Sequence, residues 1–95
     1  MSITREQVLA LKVGDRVRTT FDIDGLTGKV RPGAVWSNWK RVVSIRAQSQ
    51  DVKGTAFACF CLESGKGGKV FDSVKEDETF MEIQRLKMGI ALNND

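Results

Sequence analysis

The chain has 95 residues, 41% hydrophobic and 28% charged, which suits one self-supporting globular domain and is too apolar for a disordered one. It has no histidine, so no Ser-His or Cys-His pair can form, and its two cysteines alone cannot fill a tetrahedral zinc site. The formal net charge is +3 and is unevenly spread: residues 1–50 carry nine Lys/Arg against four Asp/Glu, net +5, and residues 51–95 carry six against eight, net −2.

The opening segment, MSITREQVLALK, has no basic start followed by an apolar run, so no signal peptide is expected. The longest apolar run, AFACFCL, is far shorter than the roughly 20 residues of a membrane helix. The expectation is a cytoplasmic protein with no membrane partner, no metal and no cofactor. Thr4 and Gln7 have capping-box spacing and predict a short helix over 4–11, with Val8, Leu9 and Leu11 on its apolar side. The helix must end before Gly14.

From Gly14 the period changes to two. In DRVRTTFDI, Val17, Thr19, Phe21 and Ile23 share one face, while Arg16, Arg18, Thr20 and Asp22 share the other, which predicts a half-buried strand. Asp24-Gly25 is a tight-turn dipeptide. LTGKVRP then alternates again, with Thr27, Lys29 and Arg31 outward, and Pro32-Gly33 ends it. Ser37-Asn38 lies between Trp36 and Trp39 and fits a two-residue hairpin loop. WKRVVSIRA reads as a strand with Val43 and Ile45 inward and Lys40, Ser44 and Arg46 outward; Arg41 on the inner side and Val42 on the outer interrupt the pattern.

QSQDVKG is a polar turn. TAFACFCLE is apolar on both faces, as a covered central strand would be. Its Cys59 and Cys61 fall on one face and read as reduced, small core residues. SGKGGK is a glycine-rich hairpin loop that lacks the phosphate-loop order. KVFDSV and TFMEIQ are short strands separated by KEDE, a solvated acidic turn. A helix over 74–88 competes for the last region, through the capping spacing of Ser73 and Glu76. At 100° per residue, however, Phe80, Ile83 and Leu86 fan away from Val74, Met81 and Met88, so strand is preferred. The tail ALNND is expected to fray.

Five or six short strands with frequent turns predict an all-β domain, a small barrel or sandwich. LKVGDRVRT followed by GLTGKV resembles the start of Src-homology-3-like barrels of the KOW and Tudor type. Gly14, Asp15 and Val17 match the first element of that pattern, and Gly25, Gly28 and Val30 match the second, over about residues 12–31. The resemblance implies a strongly bent five-stranded barrel that binds nucleic acid or another protein and catalyses nothing. The expected organisation is a single domain over 1–95, with a helix at 4–11, a barrel at 14–86 and a tail at 87–95.

If the strand at 15–23 pairs with that at 26–31, their outer faces coincide and gather Arg16, Arg18, Lys29 and Arg31. Lys40 and Arg46 join if the next strand extends the sheet, and Arg41 lies beside them. Such a face is either a solvated surface or a platform for phosphates. Trp36 and Trp39, flanking one short loop, should bury or expose together. Buried, they lock the hairpin; exposed, they stack on bases or anchor a protein. The expected function is a nonenzymatic module for DNA or RNA, or for a nucleoprotein. The alternative is a protein-interaction module, a phage- or plasmid-type accessory or inhibitor with the tryptophans as anchor. The sequence sets no oligomeric state.

Overall fold

The computed structural model describes residues 2–87 and 90–93, with side chains from Ser2 to Leu86. The capping box forms as its spacing predicts. Thr4 Oγ1 accepts from Gln7 N (3.1 Å) and Gln7 Oε1 accepts from Thr4 N (2.9 Å), starting α1, Arg5–Ala10. Leu11 leaves the helical region and ends it. The last-turn carbonyls of Val8 and Leu11 accept from Gln48 Nε2, each at 2.8 Å, so a strand side chain finishes the helix. Ile3, Val8 and Leu11 are buried, whereas Leu9 turns outward. No described helix is long and apolar enough to cross a membrane.

The rest is mostly β. The strands are β1 (Arg16–Thr19), β2 (Lys40–Gln50), β3 (Ala56–Glu63), β4 (Lys69–Lys75), β5 (Met81–Lys87) and β6 (Ile90–Asn93). All pair antiparallel in one sheet, in the order β4-β3-β2-β1-β5-β6. Among the described residues β4 and β6 do not pair, so the sheet is open. The strand reading of TFMEIQ holds. Residues 91–93, expected to fray, instead pair with β5 as part of β6; the last two residues of that tail lie outside the described residues.

Several local expectations are overturned. β1 stops at Thr19, and no strand forms over 26–31. Ile23 and Val30 make an isolated bridge instead. The phase slips because Thr20, not Phe21, turns inward. Its hydroxyl donates to Val35 O (2.8 Å) and accepts from Asp22 N (3.1 Å), satisfying a buried polar group locally, while Phe21 is 96% exposed. The Asp24-Gly25 turn is also wider than two residues. Asp24 Oδ1 accepts from Leu26 N and Thr27 N, and Gly28 takes the positive φ of 71°.

Ser37-Asn38 is not a hairpin loop either, for no strand precedes it. Ser37 N donates to Thr19 O and Ser37 Oγ accepts from Thr19 N, laying this segment against the end of β1. In β2 the inner residue is Val42, fully buried, and Arg41 is exposed. Register shifts between Val42 and Ser44 and between Ile45 and Ala47 then bring Ile45 back toward the core. β2 also continues through Gln50, so the polar turn shrinks to residues around Asp51–Gly54.

The core is built from Val17, Val42, Phe60, Leu62, Val74, Met81 and Ile83, closed at one end by Ile3, Val8 and Leu11. Asp15 is buried with them, fully enclosed. Its Oδ2 accepts from Lys12 N (3.0 Å) and its Oδ1 from Leu86 N (2.8 Å). Its carbonyl accepts from Val42 N (2.7 Å). One residue thereby joins the helix exit, β2 and β5. Asp15→Ala should lower unfolding free energy by about 3 kcal/mol, because two buried N–H donors lose their acceptor. Asp24→Ala, which removes an exposed turn cap, should lose about 1 kcal/mol. Urea unfolding followed by circular dichroism measures both, and equal losses would refute the assignment of Asp15 as the tie.

Candidate functional site

The tryptophans are placed by the chain that leaves Thr19 and returns as β2. Both are half-buried, as two rings sharing one environment should be. What lies between them is Arg18. Its guanidinium carbon is 5.1 Å from the Trp36 ring centroid and 4.8 Å from that of Trp39. The same guanidinium is fixed from β5: Arg18 Nε donates to Glu82 Oε1 at 2.6 Å, and a terminal nitrogen also pairs with that oxygen. Arg18 and Glu82 are cross-strand partners, so the β1–β5 register sets this contact. The result is a cation held by two π faces and a carboxylate, all partly desolvated.

Beside the stack, residues that share one side of the sheet line up across the strands. Lys69 of β4 stands opposite Glu63 of β3, Arg16 of β1 opposite Arg41 of β2, and Arg16 also opposite Gln84 of β5. Arg41 Nε reaches Glu63 Oε2 at 3.2 Å and joins the two halves of the row. At ~4.8 Å per strand spacing, Lys69 to Arg16 covers ~14 Å. Three cations and one carboxylate lie on this line. Arg16 makes no ion pair among the described residues.

A groove of about 450 Å³ adjoins the row. Trp39, Lys40 and Arg41 form one wall, and Glu63, Gly65 and Gly67 form the other. The glycine-rich loop that sequence reading treats as a plain hairpin connection is therefore part of a concave surface.

The expected six-cation platform is not assembled by strand pairing. Arg16, Arg18 and Arg41 come together with Trp36 and Trp39, and Lys40 borders the groove. Arg18 is committed to Glu82 and the indoles. Lys29 and Arg31 are exposed on the loop after β1, whose Gly28 carbonyl accepts from Thr79 Oγ1 beyond the Thr19 end of that strand. Arg46 is exposed within the second register shift of β2. Sequence reading missed Glu63 and Glu82, and saw Lys69 only as a nonspecific phosphate contact on the glycine-rich loop. Each has the outward phase of its strand, but their neighbours are set by pairings that no local pattern carries.

No protein-family model, curated protein or solved structure matches this chain.

Arg18→Leu should release the stack. Tryptophan emission should shift to the red and become more accessible to acrylamide. A double-mutant cycle with Trp39→Leu should give a coupling of about 1–2 kcal/mol, typical of a desolvated cation–π contact. Zero coupling would exclude a stack that contributes to stability.

Proposed function

We propose that this chain is a nonenzymatic module that binds nucleic acid, or a nucleoprotein, along the row Lys69–Arg41–Arg16. The observation that carries this reading is the placement of Arg16 directly opposite Arg41. Like charges in that position destabilise a free sheet. A chain of phosphates would neutralise both, with Lys69 supplying a third contact. None of these side chains reads a base edge, so affinity is electrostatic and sequence preference weak.

The fold we assign to this module is a small Src-homology-3-like barrel of the KOW and Tudor type. Three features support it. β2 is irregular at two points and pairs with β1 at its start and β3 beyond, the bend that a small barrel needs. β1 lies between β2 and β5, which brings the first and fifth strands together as closure demands. The positive φ of Gly14 (101°) also supports the Gly-Asp turn of the resemblance.

A second reading, a protein-interaction module of phage- or plasmid-type accessory kind, rests on a different observation. Phe21 is 96% exposed and Phe71 61%. Phe21 borders a cleft of about 290 Å³ with Ile23, Phe80 and Asp72. In that reading the anchor is Phe21 and not the tryptophan pair.

Fluorescence anisotropy with labelled single- and double-stranded DNA and RNA separates the two. Three phosphate contacts predict a log–log salt slope of about −2 on single strands and about −3 on duplex. Arg16→Gln and Arg41→Gln should each make the slope shallower by about 0.7–0.9, while Lys53→Gln, in the distant β2–β3 turn, should leave it unchanged. Absence of binding at low salt to all four nucleic acids would sink the first reading and leave the second.

A further inference from the structure

We propose that the groove between Trp39 and the Ser64–Gly68 loop receives one unstacked base of a single strand, so that this module prefers single-stranded nucleic acid to duplex. This rests on the nucleic-acid reading and narrows it to a substrate class and a pocket. The groove, at about 450 Å³, is in the range of roughly 300–1,000 Å³ that holds a ligand the size of a nucleotide.

Its walls have complementary chemistry. Trp39 offers an aromatic surface fixed in advance, since Arg18 packs over the ring and is itself held by Glu82. Little ordering is therefore left for the ligand to impose. Arg41 stands next to it for the phosphate. The Arg41–Glu63 pair is about half exposed on both sides, so it is weak, and a phosphate oxygen can take the place of the Glu63 carboxylate.

Beyond Glu63 and Ser64, the opposite wall has no side chain at Gly65 and Gly67. A Cβ added at Gly65 or Gly67 would meet nothing within 4 Å. Gly67 has a backbone reason to be glycine, its φ of 77°. Gly65 has no positive φ and no close neighbour, so neither conformation nor packing requires glycine there. What the missing side chain leaves is room in the groove. A paired base inside a duplex has both faces covered by its neighbours and cannot lie against Trp39. A base of a single strand can, and stacking of this kind is tolerant of sequence.

The test uses the full chain, fluorescein-labelled oligo-dT and oligo-U, and hairpin duplexes of matched phosphate number at low salt. Single strands should bind about tenfold more tightly than duplex and quench tryptophan emission, as one stacked base implies. Gly65→Leu places a side chain at the wall without backbone strain, and should remove the preference and the quenching while the Arg16-dependent duplex binding persists. Circular dichroism of that variant checks that the fold is retained. Trp39→Leu is the second variant and should remove the preference as well. Equal or tighter duplex binding by the wild type would overturn the pocket and leave the phosphate row standing. A Gly65→Leu protein that keeps its preference would do the same. No binding to either form would overturn both.

Discussion

The buried carboxylate of Asp15 is the contact on which the rest of this structure depends. A charge enclosed in a small core is tolerated only when its oxygens are filled by donors, and here both accept backbone N–H groups. The donors come from Lys12, just before the turn, and Leu86, 71 residues along the chain. With its carbonyl also taken by Val42 N, Asp15 holds the starts of β1 and β2 and the far part of β5 at one point. Gly14 makes this approach possible. Its φ is 101°, and a Cβ there would stand 2.5 Å from Leu86 Cδ2. The next residues inherit the register. Arg16 falls between Gln84 and Arg41, Val17 faces the core, and Arg18 meets Glu82.

That register explains why the two tryptophans and the basic residues divide their work. An arginine stacked between two rings and bound to a carboxylate has its charge largely answered within the protein. Arg18 therefore serves geometry: it holds Trp36 and Trp39 at fixed positions on a small surface that no sheet covers. The charge available to an anion moves two residues back, to Arg16, and across to Arg41 and Lys69. The cluster at residues 31–41 that looks uniform in sequence is thus split. Trp36 and Trp39 belong to a rigid stack, Lys40 and Arg41 to a groove, and Arg31 to a separate loop.

The legible parts of the sequence were those whose partners are local. The capping box of Thr4 and Gln7, the Gly14-Asp15 turn, the apolar β3, the glycine loop after it and the strand over TFMEIQ all follow from neighbours in the chain. Reading failed where a side chain chose a distant or unexpected partner. Thr20 bonds to Val35 O and moves the inward phase off Phe21. The irregularity between Val42 and Ser44 lets Val42 and Ile45 both face the core, which leaves Arg41 outward and resolves an apparent inward arginine. Gln48, read as part of a polar turn, finishes the helix. Glu82 and Glu63 enter the site only through pairings between strands far apart in sequence. Period-two alternation reports which side a residue takes on its own strand, and it carries no information about which residue stands opposite.

The acidic half of the chain has a role in this arrangement that net charge alone conceals. KEDE is no free solvated turn. Glu76 Oε1 accepts from Ala56 N at 2.6 Å and from Arg5 at 3.2 Å, and Glu78 Oε1 accepts from Lys75 N. Ile3 and the turn also exchange backbone hydrogen bonds. Glu76 and these backbone bonds fasten the N-terminal segment to the end of the sheet that lies farthest along β4 from Lys69. Six residues of strand separate Lys69 from Lys75, about 20 Å at the usual rise. The molecule is therefore polarised, with cations and the tryptophan groove near one end of β4 and anchored carboxylates at the other. A field of that form would steer the proposed polyanion toward the groove and away from the turn, at distances of one to two Debye lengths. Folding and the proposed recognition thus draw on the same separation of charge: the acidic turn that secures the chain terminus lies clear of the surface proposed to meet phosphate.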